Sequence, residues 1–214
     1  FTPDGGFAGA EIVSFARLCQ LAYLARISLS ATGFYATPAI HYDRASHTGR
    51  PFYYFAYGAA VAEVAIDTLT GEHKVLAVDI LHDVGKSLNP AIDLGQIEGG
   101  FIQGMGWLTT EELVFDADGR LLTHAPSTYK IPTASDRPAR MKIELWAPGE
   151  NVEPTIHRSK AVGEPPFMLA NAVFCALTQA VAACAPGGGF PALDAPATPE
   201  RILAAIAALR ADHG

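Results

Sequence analysis

Residues 95–106 place five glycines, Gly95, Gly99, Gly100, Gly104 and Gly106, inside a segment that otherwise reads as a helix. Asn89 and Pro90 open it with an N-cap amide and a proline at the first helical position, and Asp93 falls in the first turn. Each interior glycine costs roughly 1 kcal/mol relative to alanine, so the run offsets much of an ordinary helix's margin. A helix from Pro90 towards Leu113 therefore needs something held close to its backbone, either a packed neighbouring element or a ligand. Gln96, Gly100, Gln103 and Gly104 share one face at i, i+4, i+7 and i+8. Carboxamides there suit a hydrogen-bonding heterocycle, because each offers donor and acceptor together. Tight packing is the commoner reason for such glycines.

The stretch KAVGEPPF, Lys160 to Phe167, sets a carboxylate between a glycine and two prolines. Pro165 biases Glu164 towards an extended backbone, and proline is favoured where a helix begins. The apolar residues Met168, Leu169, Val173, Phe174, Leu177 and Val181 then predict a helix of about five turns, ending near Cys184 before Pro186-Gly187-Gly188-Gly189. Free N–H groups and the partial positive charge at its start favour an ionised carboxylate. Such an acid is what a general base requires. The plainer reading is that Glu164 only caps the helix.

Elsewhere the pattern predicts an amphipathic helix from Ala10 to about Ala25, with Ile12, Phe15, Leu18, Cys19 and Ala22 on one face. Ile27 to Tyr35 reads as a strand and 37–50 as a long loop. His41 and His47, six apart in that loop without a third partner, read as solvated histidines rather than metal ligands. Phe52 to Asp67 and Lys74 to Asp83 form the clearest hairpin, turning at Thr70-Gly71-Glu72. Gly58-Ala59-Ala60 within it implies a close neighbour, and Glu63 is expected to be buried against a partner. A second hairpin turns at Asp118-Gly119, a strand covers Arg140 to Trp146, and Pro199 opens a final helix with Ile202, Leu203, Ile206 and Leu209 inward. The only hinge is expected at Gly187 to Pro196. The fold class is α+β, β-hairpins packed with helices in one domain.

Half of the 214 residues are apolar and 17% are charged, which is the balance of a globular chain. A formal charge of -7 without a basic stripe argues against nucleic acid. Cys19, Cys175 and Cys184 form no CxxC pair, as reduced thiols in a cytoplasmic protein would. Three thiols also fall short of the four an iron–sulfur cluster usually takes. No signal segment and no membrane-spanning apolar run is apparent.

Three motifs in unbroken order, DVGKSLNPAIDLGQIEGGFIQGMGWLTTEEL (Asp83 to Leu113), PSTYKIPT (Pro126 to Thr133) and KAVGEPPF, resemble the xanthine oxidase family of molybdenum hydroxylases. The likeness runs from about Phe15 to about Ala185, and is greatest to the molybdopterin-binding subunit of the bacterial two-subunit type. It implies that residues 1–214 are the C-terminal part of the molybdenum cofactor-binding domain of that family. It also implies that Glu164 is the catalytic base, and that Gln96 binds the pterin of a molybdenum-molybdopterin cofactor whose metal has no protein ligand. The reaction implied is oxidation of hypoxanthine to xanthine and of xanthine to urate. Electrons would leave through 2Fe-2S clusters and FAD on a partner subunit to NAD, in a heterotetramer of two such pairs. An aldehyde oxidase or another N-heterocycle hydroxylase of the family is the alternative, and a non-catalytic assembly scaffold a second. The chain alone is expected to be inactive, because the family's substrate residues lie upstream of Phe1.

Overall fold

The computed structural model describes residues 6–8, 11–147, 149–185 and 189–211, which form two compact units, 1–53 and 54–214. In the first, β1 (Gly6–Ala8) pairs antiparallel with β2 (Glu11–Val13). Helix α1 (Phe15–Leu24) comes next, its N-terminus capped by the Ser14 hydroxyl, which accepts from the Arg17 amide at 3.3 Å. The helix thus starts five residues later than the periodicity predicts, since Ser14 supplies a cap and residues 11–13 pair as a strand. Leu18, Cys19 and Ala22 do form its partly covered line, but Phe15 is exposed. The strand expected over 27–35 is absent; that segment is irregular. The expected long loop instead contains the hairpin of β3 (His41–Asp43) and β4 (Thr48–Arg50). Asp43 closes its turn, accepting from the Ala45 amide and the Ser46 hydroxyl. His47 lies 3.2 Å from the Tyr42 hydroxyl, a local contact rather than part of a ligand set.

The second unit is built on a three-stranded sheet ordered β5 (Gly58–Ile66), β6 (His73–His82), β7 (Arg140–Leu145). The β5–β6 hairpin is the one predicted, in register from Ile66↔His73 to Gly58↔His82 with an irregularity at Glu63/Val64. Gly71, at φ +76°, makes its turn. Pairing of β6 with β7 is parallel, Ala77↔Arg140 to His82↔Leu145. Their connection runs through α2 (Pro90–Thr109), the crossover a parallel pair requires. Inward residues of the sheet, α2, α3 (Asn171–Ala182) and α4 (Pro199–Ala211) share one core, including Val78, Ile97, Phe101, Val173, Leu177, Val181 and Ile202, each fully buried. The outward face of the sheet is charged, with Arg140 gripping Asp79 through two bonds of 2.7 and 2.8 Å. Glu63 lies exposed on that strand rather than buried, because the alternation that turns Ala62 and Val64 inward turns it out. The 118–119 hairpin is reduced to one bridge, Phe115↔Leu121. The expected hinge over Gly187 to Pro196 begins outside the described residues; the division between units lies at 53/54.

Helix α2 forms where Asn89 predicts, its amide oxygen accepting from the Ala91 and Ile92 backbone N–H. Its glycines divide into two classes. A Cβ at Gly104 would strike the Phe167 carbonyl oxygen and come within 2.9 Å of Ala170 Cβ. One at Gly100 would stand 3.2 Å from the Gly163 carbonyl and 3.4 Å from the Phe167 amide nitrogen. The close neighbour is therefore protein, namely the turn after Glu164. At Gly95 and Gly99 nothing lies within 4 Å. Gly104→Ala is expected to destabilise the fold by about 1–3 kcal/mol through overpacking. Gly99→Ala, which fills open space on a helix, is expected to stabilise it by about 0.5–1 kcal/mol. Chemical denaturation of the two variants checks both signs.

Candidate active site

Glu164 adopts helical backbone angles, φ −91° and ψ −36°, rather than the extended ones its proline neighbour favours. The chain then winds into a six-residue 3-10 segment, Pro165–Ala170, and only afterwards into α3. The prolines fall in the first turn, where an N–H would be free in any case, and the winding runs unbroken from Pro165 to Ala182, its first six residues tightened to 3-10. The Glu164 carbonyl accepts from Phe167 at 3.0 Å, but its side chain makes no capping bond. The carboxylate is exposed and has no hydrogen-bond or ion-pair partner among the described residues. A helix cap is therefore not its role. By length and composition alone, Pro165–Ala182 could cross a membrane, which the reading of the sequence did not anticipate. Val173, Leu177 and Val181 from this stretch are fully buried in the core, so its apolar character already has a packing cause.

Gln96 comes to the same place from α2. Its Oε1 lies 3.6 Å from where a Cβ on Gly163 would be, one residue from Glu164. Its carboxamide is exposed and makes no hydrogen bond within the described residues. Beside it the bare backbone of Gly95 and Gly99 leaves that helix surface open. The structure thus sets the free amide of Gln96 against the residue next in chain to the free acid Glu164. Gln103 is exposed on α2, and no contact among the described residues joins it to this pair.

Both motifs are fastened behind the site. Lys160 Nζ bonds Asp83 Oδ2 at 2.6 Å, with side-chain exposures of 6% and 17%, and lies 5.1 Å from the centre of the Tyr57 ring. Asp83 Oδ1 accepts from the Gly85 amide at 2.8 Å. Backbone bonds run from Lys160 N to Val84 O and from Lys86 N to Arg158 O, and the Ala161 amide donates to the Tyr54 hydroxyl at 2.8 Å. Gly85 at φ +63° allows this approach; a Cβ there would lie 2.5 Å from the Arg158 carbonyl oxygen. Sequence reading placed Asp83 and Lys160 inside motifs but gave them no role, since a pair 77 residues apart leaves no local signature. The third motif braces the far end of α2, where the Tyr129 hydroxyl donates to Glu111 at 2.6 Å and the Thr110 hydroxyl to the Lys130 carbonyl. Hydrogen bonding to the Glu111 carboxylate holds the Tyr129 hydroxyl proton more tightly than usual. No group of three or more metal-binding side chains occurs among the described residues.

A family model described as molybdopterin cofactor-binding domain matches residues 2–138, a span that contains Gln96 and ends before Glu164. This chain belongs to the molybdopterin cofactor-binding domain family. Among individual proteins, xanthine dehydrogenase of Oryza sativa subsp. japonica is 53% identical over 200 residues, covering 88% of this chain and 14% of the relative. Quinoline 2-oxidoreductase from Pseudomonas putida 86 superposes with a TM-score of 0.60 at 31% identity, over 67% of this chain and 18% of that one. Aldehyde oxidoreductase from Desulfovibrio gigas gives a TM-score of 0.63 over 92% of this chain and 20% of that one; its 24% identity bears on the fold alone. The α+β architecture is thus that of this domain. The chain spans about 14% of the length of the curated relatives it matches.

Behind the Glu164 turn lies a histidine with no counterpart in the sequence reasoning. His82 is 1% exposed, and neither ring nitrogen has a hydrogen-bond partner among the described residues. It packs against Gly58, where a Cβ would come within 2.5 Å of Nδ1 and 3.1 Å of Leu169, so Gly58 is indeed a point of close packing. Burial pushes the pKa of His82 below its ordinary 6.5; the Asp83 carboxylate acts upward and Lys160 downward again. His73 is lowered too, by burial against the opposing pull of Asp136. The unfolded chain therefore takes up protons near the ordinary value that the folded chain refuses. Stability is expected to be full above about pH 7 and to fall as pH drops through about 6.5. His82→Met should remove part of that slope, leaving the share due to His73. Thermal melts between about pH 8 and pH 5.5 check it.

Proposed function

We propose that residues 1–214 are the C-terminal part of the molybdenum cofactor-binding domain of a xanthine dehydrogenase, which oxidises hypoxanthine to xanthine and xanthine to urate. The observation that carries this reading is that the free carboxamide of Gln96, on a glycine-bared helix surface, lies against Gly163, the residue before an uncapped, unpaired Glu164. The 53% identity to rice xanthine dehydrogenase supports the purine substrate. A molybdenum-molybdopterin cofactor fits the residues present. Gln96 offers a donor and an acceptor to a pterin, the open surface at Gly95 and Gly99 admits close approach, and the metal needs no side-chain ligand from this chain. When bound, that group supplies the two-electron acceptor.

The residues of this chain then have limited tasks. Hydroxylation replaces a ring C–H by C–OH, takes its oxygen from water and releases two protons and two electrons. A Glu164 carboxylate oxygen takes the proton from the oxygen that attacks the purine carbon. Gly163, the prolines and the bonds behind Lys160 keep the acid in one place, so little freedom is lost on reaching the transition state. In this reading electrons pass to 2Fe-2S clusters and FAD on a partner subunit, and then to NAD, within a cytoplasmic heterotetramer. This chain alone is inactive. A second reading, an N-heterocycle hydroxylase with another substrate, is favoured by the 31% identity to the quinoline enzyme; a substrate panel on the full-length protein separates the two.

In the full-length enzyme, Glu164→Gln is expected to keep fold, assembly and molybdenum content while turnover per molybdenum falls about 10²–10⁴-fold. Retention of more than about a tenth of wild-type turnover would assign the proton transfer to another group. Gln96→Ala is expected to lower molybdenum and pterin content more than it lowers the melting temperature, which metal and pterin analysis beside a thermal melt would reveal.

A further inference from the structure

From the geometry behind Glu164 we infer that the buried Asp83–Lys160 ion pair is a positioning device, which sets where the Glu164 turn stands relative to α2. The inference rests on the reading of Glu164 as the base, and it concerns residues that reading does not use.

Lys160 lies four residues before Glu164, and the segment between them is held by the Ala161 bond to Tyr54, by Val162 packing against the core and by the approach of the Gly163 carbonyl to Gly100. Beyond Glu164 the turn is set by protein contact, the Gly100 and Gly104 surface against Pro166, Phe167 and Ala170. The carboxylate itself is tied to none of the described residues. Its position thus depends on two anchors, the glycine face after it and, before it, the Lys160 attachment with the Val162 packing beside it.

The second anchor is the more specific of the two. Asp83 directly follows β6 and begins the 83–89 connection to α2, so the pair couples the Glu164 segment to the end of the strand that leads into the helix carrying Gln96. The same carboxylate holds the Gly85 amide with its other oxygen, which fixes its orientation. The Tyr57 ring closes over the ammonium, and Asp83 N donates to Tyr57 O at 2.8 Å. At 6% and 17% exposure, water competes little for either charge. An ammonium buried this far is an expensive choice where a packed apolar side chain of similar volume often serves stability as well or better. What a charged pair adds is direction, one length and one angle between two segments otherwise joined through their backbones.

The test uses the full-length, cofactor-loaded enzyme. Lys160→Met alone leaves Asp83 buried and unpaired, so the double variant Asp83→Asn/Lys160→Met, which removes both charges at nearly constant shape, accompanies it. Lys160→Arg is the conservative rescue. Readouts are the melting temperature, amide hydrogen exchange of the peptide spanning 158–167, and kcat and KM for xanthine per bound molybdenum. For a positioning role, the double variant melts close to wild type. Its 158–167 amides exchange at least about tenfold faster and kcat falls about 10²-fold, the loss expected from displacing a reacting group by about 1 Å, while KM changes little. Lys160→Arg recovers most of both. A double variant with wild-type exchange, or with wild-type kcat, overturns the inference. Glu164→Gln is run beside it: if that variant stays active while the double variant's 158–167 amides still loosen, the assignment of the base has failed and the anchoring of the turn has not.

Discussion

The approach of α2 to the turn after Glu164 governs the rest of the second unit. Gly100 and Gly104 bring the two backbones so close that a single added methyl group at Gly104 would overlap the Phe167 carbonyl. Side chains of ordinary size would force these elements apart. Because α2 also crosses from β6 to the parallel strand β7, its position is set by the sheet on one side and by this turn on the other. Ile97 and Phe101 fill the core from the same helix without any exposure. The cost in helix propensity is thereby offset by a contact only glycine permits.

That contact has a chemical consequence. It places the free carboxamide of Gln96 beside Gly163, next in chain to a carboxylate that makes no bond among the described residues. Acids near helix starts commonly cap them; this one does not, because Pro165 and Pro166 offer no N–H and the Phe167 amide is taken by the Glu164 carbonyl. An exposed, unpaired acid held by rigid neighbours is suited to proton transfer. The strained stretch at His157 and Arg158, both at positive φ, leads into Lys160 of the buried Asp83–Lys160 pair. Backbone strain of this kind persists only where surrounding bonds over-determine it, and Arg158 is held through its guanidinium to the Asn151 and Val152 carbonyls.

Burial logic also accounts for the elements that the sequence pattern misplaces. The small, apolar strand around Glu63 implies a buried acid, yet Ala62 and Val64 take the inward positions and leave it on the outward face of the sheet, the face that carries Asp79 and Arg140. Residues 27–35 alternate loosely but find no partner, whereas 41–43 and 48–50, which read as loop, pair across a short turn closed by Asp43. Alternation records only that a segment could lie on a half-buried surface; pairing needs a second segment in register.

Local chemistry alone determined the cap at Asn89, the turn at Gly71, the β5–β6 hairpin, the final helix and the demand that something lie close to the glycines of α2. Each depends on residues within one or two turns of chain, where backbone preference and capping act. Motif likeness pointed to the family and, joined to the glycine face and the glycine–proline setting of the acid, to the roles of Gln96 and Glu164. Tertiary structure decided what fills the glycine face, that Glu164 caps nothing, that β6 and β7 run parallel, and that Asp83 meets Lys160. Those outcomes join residues some 60 to 80 positions apart, where close packing in three dimensions, and not local propensity, selects the partner.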